Sequence, residues 1–202
     1  MKSRTNYLLK RLYILFISAI LTSVVFVILI NVKTNPSKTE RISFFIGASD
    51  CNTSSLKKEI VKNKPNKIKQ INLNFNYVNS STFSYVYNTV KSEMDFYILP
   101  YSFIKDGSDS FYLNFANIKT SYINEYLKSN LDFYEYNGDF KAIKVYDNEK
   151  EVGFASNFIT YVNDNYHDDY YLLCNYKSPN IGELNNSKTS FALDIIKTLI
   201  NL

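Results

Sequence analysis

The chain has 202 residues, with 23 Lys and Arg against 19 Asp and Glu, and its formal charge of +4 comes from one end. Lys2, Arg4, Lys10 and Arg11 precede Ile30 with no acidic residue among them, so the other 19 basic residues balance all 19 acidic ones. A neutral domain lacks the cation surplus that a phosphate backbone selects, which excludes nucleic acid as a partner, and five glycines leave little material for phosphate-cradling loops.

The run Leu12 to Ile30, LYILFISAILTSVVFVILI, is uncharged, with Ser18, Thr22 and Ser23 as its only polar residues. At 1.5 Å per residue it reaches about 28 Å, the hydrocarbon thickness of a bilayer, and its hydroxyls can bond back to their own helix. A cleaved secretory signal begins similarly, but its apolar core is shorter and ends at small residues, whereas this run leaves through Leu29-Ile30-Asn31-Val32. The basic residues before it place the N-terminus in the cytoplasm by the positive-inside rule. The expected organisation is therefore a cytoplasmic basic segment over 1–11, a transmembrane helix over 12–32, a linker over 33–40 and an extracytoplasmic domain over 41–202.

Beyond the linker, Arg41 to Gly47 (RISFFIG) is nearly all apolar, the pattern of a strand covered on both faces. Gly47-Ala48-Ser49-Asp50 turns the chain, and Thr53 or Ser54 caps a helix carrying Leu56, Ile60 and Val61 until Pro65 stops it. Ile68 to Tyr77 alternates Ile71, Leu73, Phe75 and Tyr77 with Asn72, Asn74 and Asn76, the signature of a half-exposed strand near a sheet edge. Ser80, Ser81 or Thr82 caps a second helix through Phe83, Val86, Tyr87 and Val90, and Asp95 to Pro100 (DFYILP) is a third strand. Strands alternating with helices predict an α/β fold with a mixed, mainly parallel sheet flanked by helices.

The pattern weakens from Tyr101 onward. Phe111 to Phe115 reads as a short strand or irregular packing, and Ser121 to Leu131 as a helix with Tyr122, Ile123, Tyr126 and Leu127 inward. Asn137-Gly138-Asp139 joins 132–136 and 140–146 as a hairpin. Phe158 to Val162 and Tyr170 to Tyr176 read as further strands, and Ser187 caps a closing helix bearing Phe191, Ala192, Ile195 and Leu199.

The chemistry on offer points away from catalysis. His167 is the sole histidine and sits in an acidic loop with Asp164, Asp168 and Asp169, neighbours without the spacing of a calcium loop. No CxxC, Gly-rich phosphate loop or dinucleotide fingerprint is present, so no cofactor and no metal are expected and the domain reads as non-catalytic. Cys51 and Cys174 either form one bridge or are two small buried residues. In an open α/β sheet, ligands sit beyond the carboxyl ends of the strands, which makes Ser49, Asp50, Tyr101, Ser102 and Tyr146 the candidate binding residues for a small polar solute. The abundant Tyr and Phe allow a different role, a protein-interaction or assembly module that holds a membrane-protein partner and no small ligand.

The order of these motifs carries a resemblance. Arg41 to Gly47, a helix, the alternating strand, a second helix and Asp95-Phe96-Tyr97-Ile98-Leu99-Pro100-Tyr101-Ser102 resemble the first lobe of bacterial extracellular solute-binding proteins of the type II periplasmic-binding fold. In that family a strand of the form Asp, apolar run, Pro-x-Ser ends at the ligand cleft. Ala142 to Tyr146, Tyr170 to Lys177 and the closing helix resemble its returning segments. The resemblance implies a periplasmic-binding-like lobe that binds a solute without transforming it. Family members have two lobes that close on the solute, and this chain has room for one lobe plus a fragment.

Overall fold

The computed structural model describes residues 2–34, 36–78, 80–128, 130–153, 158, 168–181 and 190–200. The chain divides into two units, Met1–Ser37 and Lys38–Leu202.

The first unit is the single helix α1 (Lys2–Thr34). Within it, the 22 residues Leu9–Ile30 are long and apolar enough to cross a membrane, reaching about 33 Å at the helical rise. The three Ser and Thr hydroxyls of this stretch are satisfied inside the helix: Ser18 Oγ donates to Leu15 O at 3.1 Å, Thr22 Oγ1 to Ser18 O at 2.8 Å and Ser23 Oγ to Ala19 O at 2.8 Å. Such a helix asks nothing of a surrounding solvent that lacks donors and acceptors.

The second unit begins with β1 (Arg41–Ala48), buried from Ile42 onward. The helix α2 (Thr53–Asn63) follows and leads to β2 (Gln70–Tyr77); α3 (Phe83–Val90) then leads to β3 (Phe96–Pro100). Each crossover returns the chain in the same direction, so β1 pairs in parallel with β2 on one side and β3 on the other. α2 starts one residue before the expected caps, at Asn52, whose side chain accepts from Ser55 N at 3.1 Å. Asparagine is as good an N-cap as serine or threonine, and it stands first in line.

After β3 come the short helices α4 (Tyr101–Ile104) and α5 (Asp109–Tyr112), then α6 (Thr120–Leu127), β4 (Phe133–Tyr136), β5 (Asp139–Asp147), β6 (Val152–Gly153), β7 (Tyr170–Cys174) and α7 (Ser190–Ile200). The segment read as a short strand at Phe111 to Phe115 is helical at its start and contributes only a single bridge, Phe115 to Asn175. β4 and β5 form the expected hairpin, and both turn residues have positive φ, Asn137 at 52° and Gly138 at 84°, as a two-residue hairpin turn requires. The strand expected over Phe158 to Val162 is helical at Phe158, while 159–167, with His167 and Asp164 of the acidic loop, and the Ser187 cap lie outside the described residues.

The sheet runs β2-β1-β3-β7-β5-β4, with β6 attached to β5. It is mixed, but not mainly parallel: only β1/β2 and β1/β3 are parallel, and β7 pairs antiparallel with both β3 and β5. The reason is the second half's connections. A tight hairpin can join only antiparallel neighbours, whereas parallel pairing needs a crossover.

Side chains alternate across the sheet. Ile42, Phe44 and Ile46 join Phe96 and Ile98 in a core covered by α2, α6 and α7, and the rings of Phe44 and Phe96 stack at 5.0 Å. Phe45, Tyr97 and Leu99 face the other way, into an aromatic cluster with Phe83 and Tyr87 of α3. Gly47 lies under that cluster, where an added Cβ would meet Phe83 Cζ at 2.6 Å. Cys51 and Cys174 are both free and buried in the first core, and burial pushes the Cys51 thiol up to about 11.

Candidate functional site

The parallel half of the sheet has two ends, and both carry polar residues. At the carboxyl end the strands β1, β3 and β5 finish beside the start of β7: Pro100 is opposite Tyr170, and so is Tyr146. Ser49 lies here against Tyr170, whose hydroxyl is driven up by burial, with hydrogen bonds to Ser49 opposing that shift. The Tyr146 ring stands 6.3 Å from that of Tyr170. Asp50 turns back on its own backbone, its Oδ1 accepting from Cys51 N at 2.8 Å. Tyr101 N donates to Asp169 O at 2.8 Å and Ser102 N to Asp168 Oδ2 at 2.8 Å, which ties the start of α4 to the strand entering β7. The five residues singled out from the sequence thus gather at one end, Ser49 and Tyr146 around Tyr170, Tyr101 and Ser102 around the Asp168-Asp169 pair.

An ion network completes this rim. Lys144 Nζ is 2.7 Å from Asp169 Oδ2 and 3.5 Å from Asp147 Oδ2, and Lys150 Nζ is 2.9 Å from Asp147 Oδ2. The Lys150 ammonium and backbone hold the Asp147 carboxyl well below the ordinary range, at about 2. Among the described residues no His, Cys, Asp or Glu are grouped to hold a metal ion.

The amino end is built differently. Here a concavity of about 800 Å³ opens among the start of β1, the middle of β2, the approach to β3 and the exit from β7. Its floor follows from register: Ser43 pairs with Asn72 and Phe45 with Asn74, so Asn72 and Asn74 lie on the face of the sheet that carries Ser43. β2 is the edge strand and this part of its face stays half-exposed.

Behind the floor, Asp95 is 6% exposed and fully bonded. Its Oδ2 accepts from Ser43 N at 2.7 Å, and its Oδ1 accepts from Ser178 Oγ and from Asn180 Nδ2 at 3.1 Å. Asn180 Nδ2 also reaches the carbonyls of Lys38 at 3.0 Å and Arg41 at 2.8 Å, and Asn175 Nδ2 donates to Met94 O at 2.8 Å. This knot binds the starts of β1 and β3 to the exit from β7. Burial raises the Asp95 carboxyl above its ordinary value, against the three hydrogen bonds and the Arg41 charge that favour its ionised form. With both oxygens spent on structural donors, Asp95 is placed to fix the loops rather than to exchange protons.

Around the opening, Lys38, Arg41 and Lys177 form no ion pair with any described residue. Sequence reasoning passed over this end. The three asparagines of β2 read there only as the wet face of an edge strand, and Asp95 only as the start of an apolar one. The missed signal is an acid directly before a fully buried strand, which must find donors wherever the fold puts it.

A smaller cavity of about 320 Å³ lies between α3 and the α4–α5 segment. Tyr87, Phe103 and Phe111 line it with rings 5.6–5.9 Å apart. The Tyr87 hydroxyl is buried and has no hydrogen-bond partner among the described residues.

The two units define the class of protein: an N-terminal helix able to span a membrane, followed by a mixed α/β domain flanked by helices. No family model, curated protein or solved structure matches the chain.

Proposed function

We propose that the chain is a single-pass, membrane-tethered binding domain, with its first residues in the cytoplasm and its α/β unit outside, that holds a small polar solute without transforming it. In this reading the unit is a lone periplasmic-binding-like lobe whose solute site lies at the opposite end of the strands from that family's cleft. The observation that carries the proposal is the polar concavity at the amino end of β1 and β3, whose volume of about 800 Å³ suits a small-molecule site. The carboxyl-end rim supports it less, because the groups of Ser49, Asp50, Tyr101 and Ser102 noted there bond within the protein.

The test is calorimetric titration of the full chain in lipid nanodiscs against sugars, amino acids, organic acids and short peptides. Saturable binding of one chemical class is the expected result; no heat from any of them overturns the reading. A second reading, an interaction module, draws on one observation: β2 presents an eight-residue edge, QINLNFNY, without a charge or a proline, the kind of strand that can accept another. Self-association or partner capture with no solute bound would select it.

A further inference from the structure

The bonds already made inside the concavity restrict what it can take. We propose that its ligand is a small organic carboxylate carrying hydroxyl or amino groups, rather than a neutral sugar or a cation; this rests on the solute-binding reading above.

Asn72 Oδ1 accepts from Gln70 Nε2 at 2.8 Å, and Asn74 Oδ1 accepts from Asn76 Nδ2 at 2.8 Å. Both floor carboxamides therefore have an oxygen engaged, while their amino groups donate to no described residue. The acceptors at the back are engaged as well: both oxygens of Asp95, the Asn175 Oδ1 that takes Lys177 N at 3.0 Å, and the Ser178 Oγ that takes Asn180 N at 3.0 Å. What remains on the floor is N–H and the Ser43 hydroxyl, and what remains at the mouth is the charge of Lys38, Arg41 and Lys177, the last lying 5.4 Å from the centroid of the Tyr176 ring.

A lining of unspent donors and cations is complementary to an oxyanion, since hydrogen bonds with an ionised partner are the strong ones. A cation would meet three like charges, and on the floor only the Ser43 hydroxyl and the second lone pairs of amides, with no ionised oxygen among them. Glu93 is the exception: an exposed carboxylate on the lining that forms no ion pair with a described residue. It suits a hydroxyl or ammonium on the ligand's far side and disfavours a densely charged polyanion.

The experiment is isothermal titration of the full chain in nanodiscs, at fixed ionic strength, with malate, citrate and glutamate against glucose, maltose and putrescine. At least one carboxylate is expected to bind saturably and to weaken as sodium chloride is raised. Asn74→Asp, which places a negative acceptor on the floor, is expected to weaken binding about tenfold or more, and Lys177→Gln, at an exposed position, about threefold. The melting curve of each variant checks that it folds. Binding of a sugar or of putrescine without any carboxylate overturns the inference and leaves the binding function standing. Carboxylate binding indifferent to both substitutions overturns the location. An empty panel overturns inference and function together.

Discussion

The two ends of the mixed sheet each hold an aspartate in a hydrogen-bonded network, and the two respond in opposite senses. Asp95, at the amino end, is buried and its carboxyl is raised, because desolvation outweighs the donors of Ser178, Ser43 and Asn180. Asp147, at the carboxyl end, is half-buried, and its carboxyl is lowered to about 2 because the Lys150 hydrogen bonds outweigh the desolvation that opposes them. The donors at the two sites are comparable; the loss of water is what differs. The buried network ties three chain segments together at the cost of a carboxylate out of water, while the half-buried one costs less and joins only the end of β5 to the start of β7.

Truncation at each end sharpens this contrast. Asp95→Ala leaves Ser43 N and Ser178 Oγ without their buried acceptor, and is expected to lower the unfolding free energy by about 3 kcal/mol. Urea denaturation reads this directly, and a loss no larger than that of a surface substitution would show that the knot ties nothing. Tyr87→Phe removes the buried hydroxyl that lacks a described partner and is expected to raise stability by about 1 kcal/mol. A lower melting temperature in that variant would mean that the phenol is bonded after all.

Asp147→Asn should have the smallest effect, and one that depends on pH. A carboxyl lowered on folding contributes stability that is present above its unfolded pKa and is lost as the pH falls through its folded one. The difference between the parent and Asp147→Asn should therefore close between pH 3.8 and about 2, and high salt should shrink it at neutral pH. Persistence of the difference below that window would remove Asp147 from the account. Asp95 runs the other way: with its carboxyl raised, its contribution weakens as the pH climbs.

The first half of the fold was legible because each signal there is local. The apolar run of β1, the alternation of β2 and the Pro65 stop after α2 need no tertiary partner to be recognised. The placing of β7 between β3 and β5 was not legible, since the same YYLLC pattern suits a buried strand of either direction and its neighbours are set by long-range packing. The site behaved the same way. Ser49, Tyr101, Ser102 and Tyr146 are adjacent to strand ends that the sequence marks, whereas the concavity is made by Arg41, Asn74, Asp95 and Lys177, four positions that no local pattern unites.

The two sulfur atoms carry a last consequence. Both cysteines are free and enclosed in the same apolar core, with their thiols driven toward the protonated form by burial, and a thiol so held is a poor nucleophile. The fold as described is closed by packing alone, with no covalent bridge for a reductant to open.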